Sequence, residues 1–129
     1  MTRTLVATGA VLAFLAVGLG AFGAHGLRDR VTPEALAIYQ TGVQYHAMHS
    51  LALLLLAALT PHMRLSPWTA RLFVAGIVIF SGSLYALAMT GQKWLGAITP
   101  IGGLCFLAGW LILAFSGRNH PGTESKNET

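Results

Sequence analysis

Four long stretches of this chain contain no charged side chain. They cover residues 4–27, 35–63, 72–92 and 94–117, and every Lys, Arg, Asp and Glu lies outside them. A helix needs about 20 predominantly apolar residues to cross the roughly 30 Å hydrocarbon core of a bilayer. The pattern therefore predicts an all-α fold, an integral membrane four-helix bundle with spans near 4–24, 45–60, 71–90 and 94–116.

Little of the chain is left for anything but these spans. Residues 1–117 are predicted to form one membrane domain, and the polar residues 118–129 are predicted to form a disordered tail. Only 9% of the residues are charged, against about 25% in soluble domains. No basic run suited to nucleic acid is present. The expected partner is therefore membrane lipid, not nucleic acid, and a homo-oligomer or a membrane partner protein stays open.

The segment before the second span carries a helix-start signal. Thr32 supplies a capping oxygen, Pro33 has its φ angle set for a first helical position, and Glu34 puts a negative charge in the first turn. A helix from Pro33 to Thr60 would be about 42 Å long, longer than the hydrocarbon core. We therefore expect the first turns of this long helix either to lie along the membrane as a surface helix before span 2 or to project from it.

The basic residues predict the orientation, because Lys and Arg are enriched in cytoplasmic loops. The two predicted ends of the bundle carry five and three of them respectively: Arg3, Arg64, Arg71, Arg118 and Lys126, against Arg28, Arg30 and Lys93. This bias predicts that both termini are cytoplasmic. Trp68 and Trp110 are then expected near the inner boundary and Trp94 near the outer one, as interfacial anchors.

Small residues recur along three of the spans and predict where helices pack closely. They are Gly9, Ala13, Ala16, Gly20 and Ala24 in the first span, Gly76, Gly82 and Ala86 in the third, and Gly102, Gly103 and Gly109 in the fourth.

Polar residues within the spans gather toward the predicted outer end. On the second helix, Tyr39, Gly42, His46 and His49 are spaced by three, four and three residues, which places them on one face. Polar groups at membrane depth usually point into the bundle. We therefore predict an outer-leaflet polar pocket lined by residues from all four spans: His25, Tyr39, Gln40, His46, His49, Ser81, Tyr85 and Thr99.

Three interpretations of this cluster are open. It could bind a lipid headgroup, a quinone or another small amphiphile. It could belong to a structural or accessory membrane subunit, in which the polar groups only pack helices together. It could bind a metal or haem, with His25, His46 and His49 as nitrogen ligands. The sequence identifies no cofactor. Paired carboxylates, a nucleophile elbow and a phosphate loop are absent from the sequence, so no catalytic residue is assigned and a non-enzymatic role is favoured.

The fourth span contains Thr99 followed by Pro100, and two structures fit this pair. Proline disfavours the α conformation at the residue before it, so Thr99 could cap a helix that starts at Pro100. Alternatively, one continuous helix runs through and is kinked at Pro100.

Four sequence blocks resemble a known family. They are residues 20–27 (GAFGAHGL), 39–49 (YQTGVQYHAMH), 80–85 (FSGSLY) and 95–103 (LGAITPIGG). In this order they resemble the signature of domain-of-unknown-function family 423, which includes bacterial inner-membrane proteins of the UPF 0382 type and the transmembrane protein 256 group. The resemblance covers residues 5 to 116. It implies a small multi-pass protein of the bacterial inner (plasma) membrane, and it supplies no catalytic residue.

Overall fold

The computed structural model describes residues 1–119, and within this range the chain folds into four long helices without a β-strand. We name them α1 (Thr2–Leu27), α2 (Pro33–Leu59), α3 (Pro67–Thr90) and α4 (Leu95–Ser116). Each is long and apolar enough to cross a membrane. The predicted all-α, four-helix membrane fold is confirmed. A short 3₁₀ turn, Gly117–Asn119, follows α4. The rest of the predicted disordered tail, residues 120–129, lies outside the described residues.

The start of α2 is the one that its sequence predicts. The Thr32 hydroxyl accepts a hydrogen bond from the Ala35 N–H at 3.2 Å, and Pro33 occupies the first turn. The helix then runs without a break to Leu59. Its 27 residues correspond to about 40 Å. The segment before span 2 is therefore the first part of α2 itself, and its place at the membrane surface stays a prediction.

Two π turns interrupt the α-helical geometry. One, Gly23–Leu27, ends α1, and the other, Ile77–Ser81, lies in the middle of α3. A π turn accommodates an extra residue and so rotates the following side chains around the helix. Ser81, the last residue of the second turn, is fully buried against α2 and donates a hydrogen bond to the Gly42 carbonyl at 2.7 Å.

The four helices are not equally buried. α2 and α3 form the central pair, α1 packs along α2, and α4 packs along α3. In the most apolar segment of each helix, 44% of the residues of α2 and 39% of those of α3 are buried, against 17% in α1 and in α4. This arrangement leaves two lengthwise grooves, one between α1 and α3 and one between α2 and α4.

Glycines allow the closest helix contacts. Gly102 of α4 lies directly against the main chain of Phe80 on α3, and a side chain at Gly109 would meet the Phe73 ring. Gly9 of α1 approaches Leu54 of α2 in the same way. These contacts confirm the predicted role for Gly9, Gly102 and Gly109. Two predicted positions are exceptions. Ala24 is exposed, and among residues 1–119 no atom lies within 4 Å of the space that a Cβ at Gly82 would occupy.

The structure decides between the two predictions for Pro100. α4 is helical from Leu95 to Ser116 with Pro100 inside it. The Thr99 hydroxyl lies 2.6 Å from the Ser83 hydroxyl and donates to the Leu95 carbonyl at 3.3 Å. The capped helix beginning at Pro100 is therefore wrong, and the continuous helix is correct. The physical reason is that the Thr99 hydroxyl is engaged by Leu95 and by α3, so it does not cap a new helix.

Candidate functional site

Three predicted site residues form a polar cluster that joins α1, α2 and α3. The Tyr39 hydroxyl donates to the Leu19 carbonyl at 2.6 Å, and the Tyr85 hydroxyl lies 2.8 Å from Nδ1 of His46. The two tyrosine rings are in contact, with their centroids 5.1 Å apart. Tyr39 and His46 are buried on the face of α2 that their spacing predicts. These side chains therefore bond helix to helix.

Two serines extend the same pattern of bonds between helices. Ser81 joins α3 to α2 through the Gly42 carbonyl, and Ser83 joins α3 to α4 through the Thr99 hydroxyl. Ser83 was not among the predicted site residues, although it lies only two positions from Ser81 in the same span. Five of the predicted site residues therefore use polar groups to hold the bundle together: Tyr39, His46, Ser81, Tyr85 and Thr99.

Two predicted residues lie exposed, away from this cluster. His25 is exposed at the end of α1, and Gln40 is exposed on α2. Gln40 follows Tyr39 by one position, so its side chain points about 100° away around the helix. The structure therefore does not bring His25, His46 and His49 together. Within residues 1–119 no group of three or more His, Cys, Asp or Glu residues is placed to hold a metal ion.

His49 lies deeper and has partners for both ring nitrogens. Its Nδ1 lies 2.8 Å from the Tyr45 carbonyl, and the Trp110 indole N–H donates to its Nε2 at 3.0 Å. Because an indole N–H only donates and a carbonyl only accepts, His49 carries its proton on Nδ1 and is neutral. Its ring stacks on Phe106, with centroids 3.6 Å apart and an interplanar angle of 11°.

Trp110 is the site residue that the sequence analysis missed. Its expected role was that of an anchor near the inner boundary, and the structure adds a hydrogen bond from its indole N–H to His49 of α2. The spacing of Phe106 and Trp110 by four residues puts both rings on one face of α4. This spacing was a usable signal, but it does not show which residue of α2 that face meets.

Aromatic side chains line the groove between α2 and α4, which we call the α2–α4 groove. Its volume is about 620 Å³. Its walls include five rings and a glycine: Tyr45, His49, Phe80, Phe106, Trp110 and Gly103. Met48, Leu104 and Leu107 also border it and are exposed. The groove therefore opens sideways, toward the acyl chains of a surrounding bilayer.

Among residues 1–119, one buried side-chain nitrogen is without a hydrogen-bond partner. It is Nε2 of His46, which is enclosed between helices. His46 does not line the α2–α4 groove. Of the eight predicted site residues, His49 alone contributes to the wall of that groove.

The comparison with known proteins identifies the family. Residues 19–103 match the family described as "Protein of unknown function (DUF423)". The chain belongs to the DUF423 family. This assignment confirms the resemblance in the sequence blocks, and the region matched contains the polar cluster and most of the α2–α4 groove.

Curated relatives of this DUF423 member are membrane proteins by name. The chain is 47% identical over 114 residues to the UPF0382 membrane protein YwdK of Bacillus subtilis (strain 168), covering 86% of this chain and 93% of the relative. It is 43% identical over 115 residues to a UPF0382 membrane protein of Staphylococcus epidermidis (strain ATCC 12228 / FDA PCI 1200), covering 88% and 94%. No solved structure matches the chain. The chain is thus a small multi-pass membrane protein.

Proposed function

We propose that this protein binds a membrane-soluble amphiphile with a flat ring as its head, of the quinone class, in the α2–α4 groove. The observation that carries the proposal is the groove wall, in which aromatic rings from three helices surround one opening to the lipid. Flat ligand rings pack favourably on such rings in offset-stacked or edge-to-face arrangements. A long apolar tail on the ligand would remain among the acyl chains.

The size and polarity of the groove support this ligand class. Its volume of about 620 Å³ falls within the roughly 300–1,000 Å³ of small-molecule pockets, which are mostly apolar with a few polar groups. Tyr45 lines the groove, and its hydroxyl has no hydrogen-bond partner among residues 1–119. This hydroxyl is available to donate to a ligand carbonyl.

The proposed site lies deeper than the outer-leaflet pocket expected from the sequence. Along α4 it extends from Pro100 to Trp110, which is the middle of the helix. The polar cluster is joined by hydrogen bonds between helices, and Ser81 and Thr99 extend it. These bonds support a packing role for the cluster itself. We therefore propose that the cluster holds the helices in place while the aromatic groove takes the ligand.

Filling the groove is expected to weaken binding of a short-chain quinone by about tenfold, or about 1.4 kcal/mol. The filling variant is Gly103→Leu, because Gly103 lines the groove and a Cβ there would come no closer than 3.8 Å to Phe80. Binding is measured by quenching of Trp110 fluorescence by decyl-benzoquinone in lipid vesicles. The background carries Trp68→Phe and Trp94→Phe, so that only the tryptophan of the groove is observed.

The matched control is Gly18→Leu, the same substitution at an exposed glycine of α1, where no atom of residues 1–119 lies within 4 Å of the Cβ position. We expect this variant to bind like the parent protein. Quenching that rises linearly without saturation, and equally in both variants, would show that the quinone only partitions into the bilayer. That result would overturn the proposed function.

We further propose that the protein lies in the bacterial inner (plasma) membrane with both termini in the cytoplasm. The Lys and Arg bias supports this orientation. A fluorescent-protein fusion at the C-terminus should be bright, and an alkaline phosphatase fused within residues 28–34 should be active, because it folds only outside the cytoplasm. A dark C-terminal fusion together with an inactive phosphatase would mean the opposite orientation.

A further inference from the structure

The groove between α1 and α3, on the other side of the central helices, is a second open surface, which we call the α1–α3 groove. Its main part has a volume of about 460 Å³ and is bordered by Leu5 of α1, Leu53 of α2 and Val74 of α3. Smaller cavities continue it in both directions, toward Pro67 at one end and toward Leu12 at the other.

The length of this groove matches one leaflet of a bilayer. Thr4 lines the main part and Leu12 lines the far end. Between them α1 rises about 12 Å, most of the ~15 Å that is half of the hydrocarbon core. The groove therefore has the dimensions of an extended acyl chain lying parallel to the helices.

The one charged side chain among the described residues of the groove stands at one end. Arg71 borders both the main part and the cavity toward Pro67, and its guanidinium lies 5.2 Å from the centre of the Trp68 ring. Tryptophan is enriched at the membrane–water interface, at the depth of the lipid headgroups, and a cationic arginine packs favourably over its ring. Thr4 and Thr8 line the groove beside Arg71, and within residues 1–119 their hydroxyls have no hydrogen-bond partner.

The charge at this end is uncompensated within the described chain. Arg3 and Arg64 lie at the same end as Arg71. The acidic residues of the segment 1–119 are Asp29 and Glu34, and both lie at the opposite end of the bundle. A ligand with a net negative head would therefore meet positive charge that no described carboxylate neutralises.

From this match of shape and charge, we infer that the α1–α3 groove binds an anionic phospholipid. One acyl chain lies along Leu5, Leu53 and Val74, and the phosphate lies at Arg71. The hydroxyls of Thr4 and Thr8 are placed to donate to the ester carbonyls of the glycerol backbone. This site is independent of the ring-headed ligand, because it lies in a different groove.

The test compares Arg71→Gln with Arg64→Gln by native mass spectrometry of protein released from detergent with phosphatidylglycerol or phosphatidylcholine. Both arginines are exposed and lie at the same end, but Arg64 does not line the groove. We expect Arg71→Gln to weaken phosphatidylglycerol binding by about tenfold and Arg64→Gln to leave it unchanged. Arg71→Lys should restore part of the binding, because it keeps the positive charge.

Four results would overturn this inference. The first is equal loss of phosphatidylglycerol in the Arg71 and Arg64 variants, which would indicate only a diffuse charge effect. The second is equal retention of phosphatidylcholine and phosphatidylglycerol by the parent protein. The third is full displacement of the lipid by inorganic phosphate. The fourth is a lipid-free dimer in which a second copy of the chain covers the groove.

Discussion

Replacing Gly102 with alanine is expected to destabilise the bundle by about 1–3 kcal/mol, the usual cost of forcing extra atoms into a packed interior. A Cβ at this position would lie within contact distance of the main-chain N and Cα of Phe80. Main-chain atoms cannot rotate aside as a flexible side chain can, so α3 and α4 would have to separate. Their separation would also strain the hydrogen bond between Ser83 and Thr99.

Gly103→Ala is the matched control for this effect. It makes the same chemical change one residue further along α4, where the nearest atom to the new Cβ would be 3.8 Å away on the Phe80 ring. Alanine is a better helix former than glycine by about 1 kcal/mol, so this variant should be neutral or slightly more stable. Stability is measured by the loss of helical circular dichroism on heating in mild detergent. Equal stability of the two variants would contradict the close contact between α3 and α4.

Replacing His49 with alanine should cost about 2–5 kcal/mol, the range for deleting a large buried side chain. The ring is only 2% exposed, stacks on Phe106, and accepts the indole N–H of Trp110. Its removal leaves a cavity among aromatic rings and deprives Trp110 of its acceptor. Loss of a packed ring matters in a membrane because packing and interhelical bonds, more than the hydrophobic effect, hold the helices together.

A second substitution separates the two contributions of His49. Phenylalanine keeps a ring over Phe106 but cannot accept the Trp110 N–H, so His49→Phe should lose only about 1–3 kcal/mol, the cost of an unsatisfied buried donor. Unfolding in detergent measures stability, and the Trp110 emission maximum reports the lost hydrogen bond. His62→Ala is the control variant. His62 is exposed between α2 and α3, so this substitution should change neither the stability nor the Trp110 emission maximum. A His49→Ala protein as stable as His62→Ala would contradict this account.

The features that follow from neighbouring residues could be predicted. The start of α2 depends on Thr32 and Pro33 alone, and the structure has the predicted cap. The buried face of α2 depends on the helical period, which places Tyr39, His46 and His49 on one side. Both arguments use residues within a few turns of one helix, so they did not require knowledge of the neighbouring helices.

Two questions that the sequence left open depended on contacts beyond a single helix. Thr99 looks like a capping residue beside Pro100, but a hydroxyl on α3 engages it and the helix continues. His25 was grouped with the other histidines by depth, yet it lies exposed at the end of α1. A depth estimate places a residue along the bilayer normal and carries no information about its rotation around the helix axis.

The number of spans and the start of α2 follow from the amino-acid sequence, because hydrocarbon excludes charged groups and Thr32 and Pro33 form a local helix-start signal. The location of the candidate site does not follow from it. His49 and Trp110 are 61 positions apart, and they meet because α4 packs along α3 and leaves a groove beside α2. That packing depends on the closeness allowed at Gly102 and Gly109 and on the rotation introduced by the π turn in α3. The glycine contacts and the π turn act between helices, so the position of the aromatic groove could be described only from the folded protein.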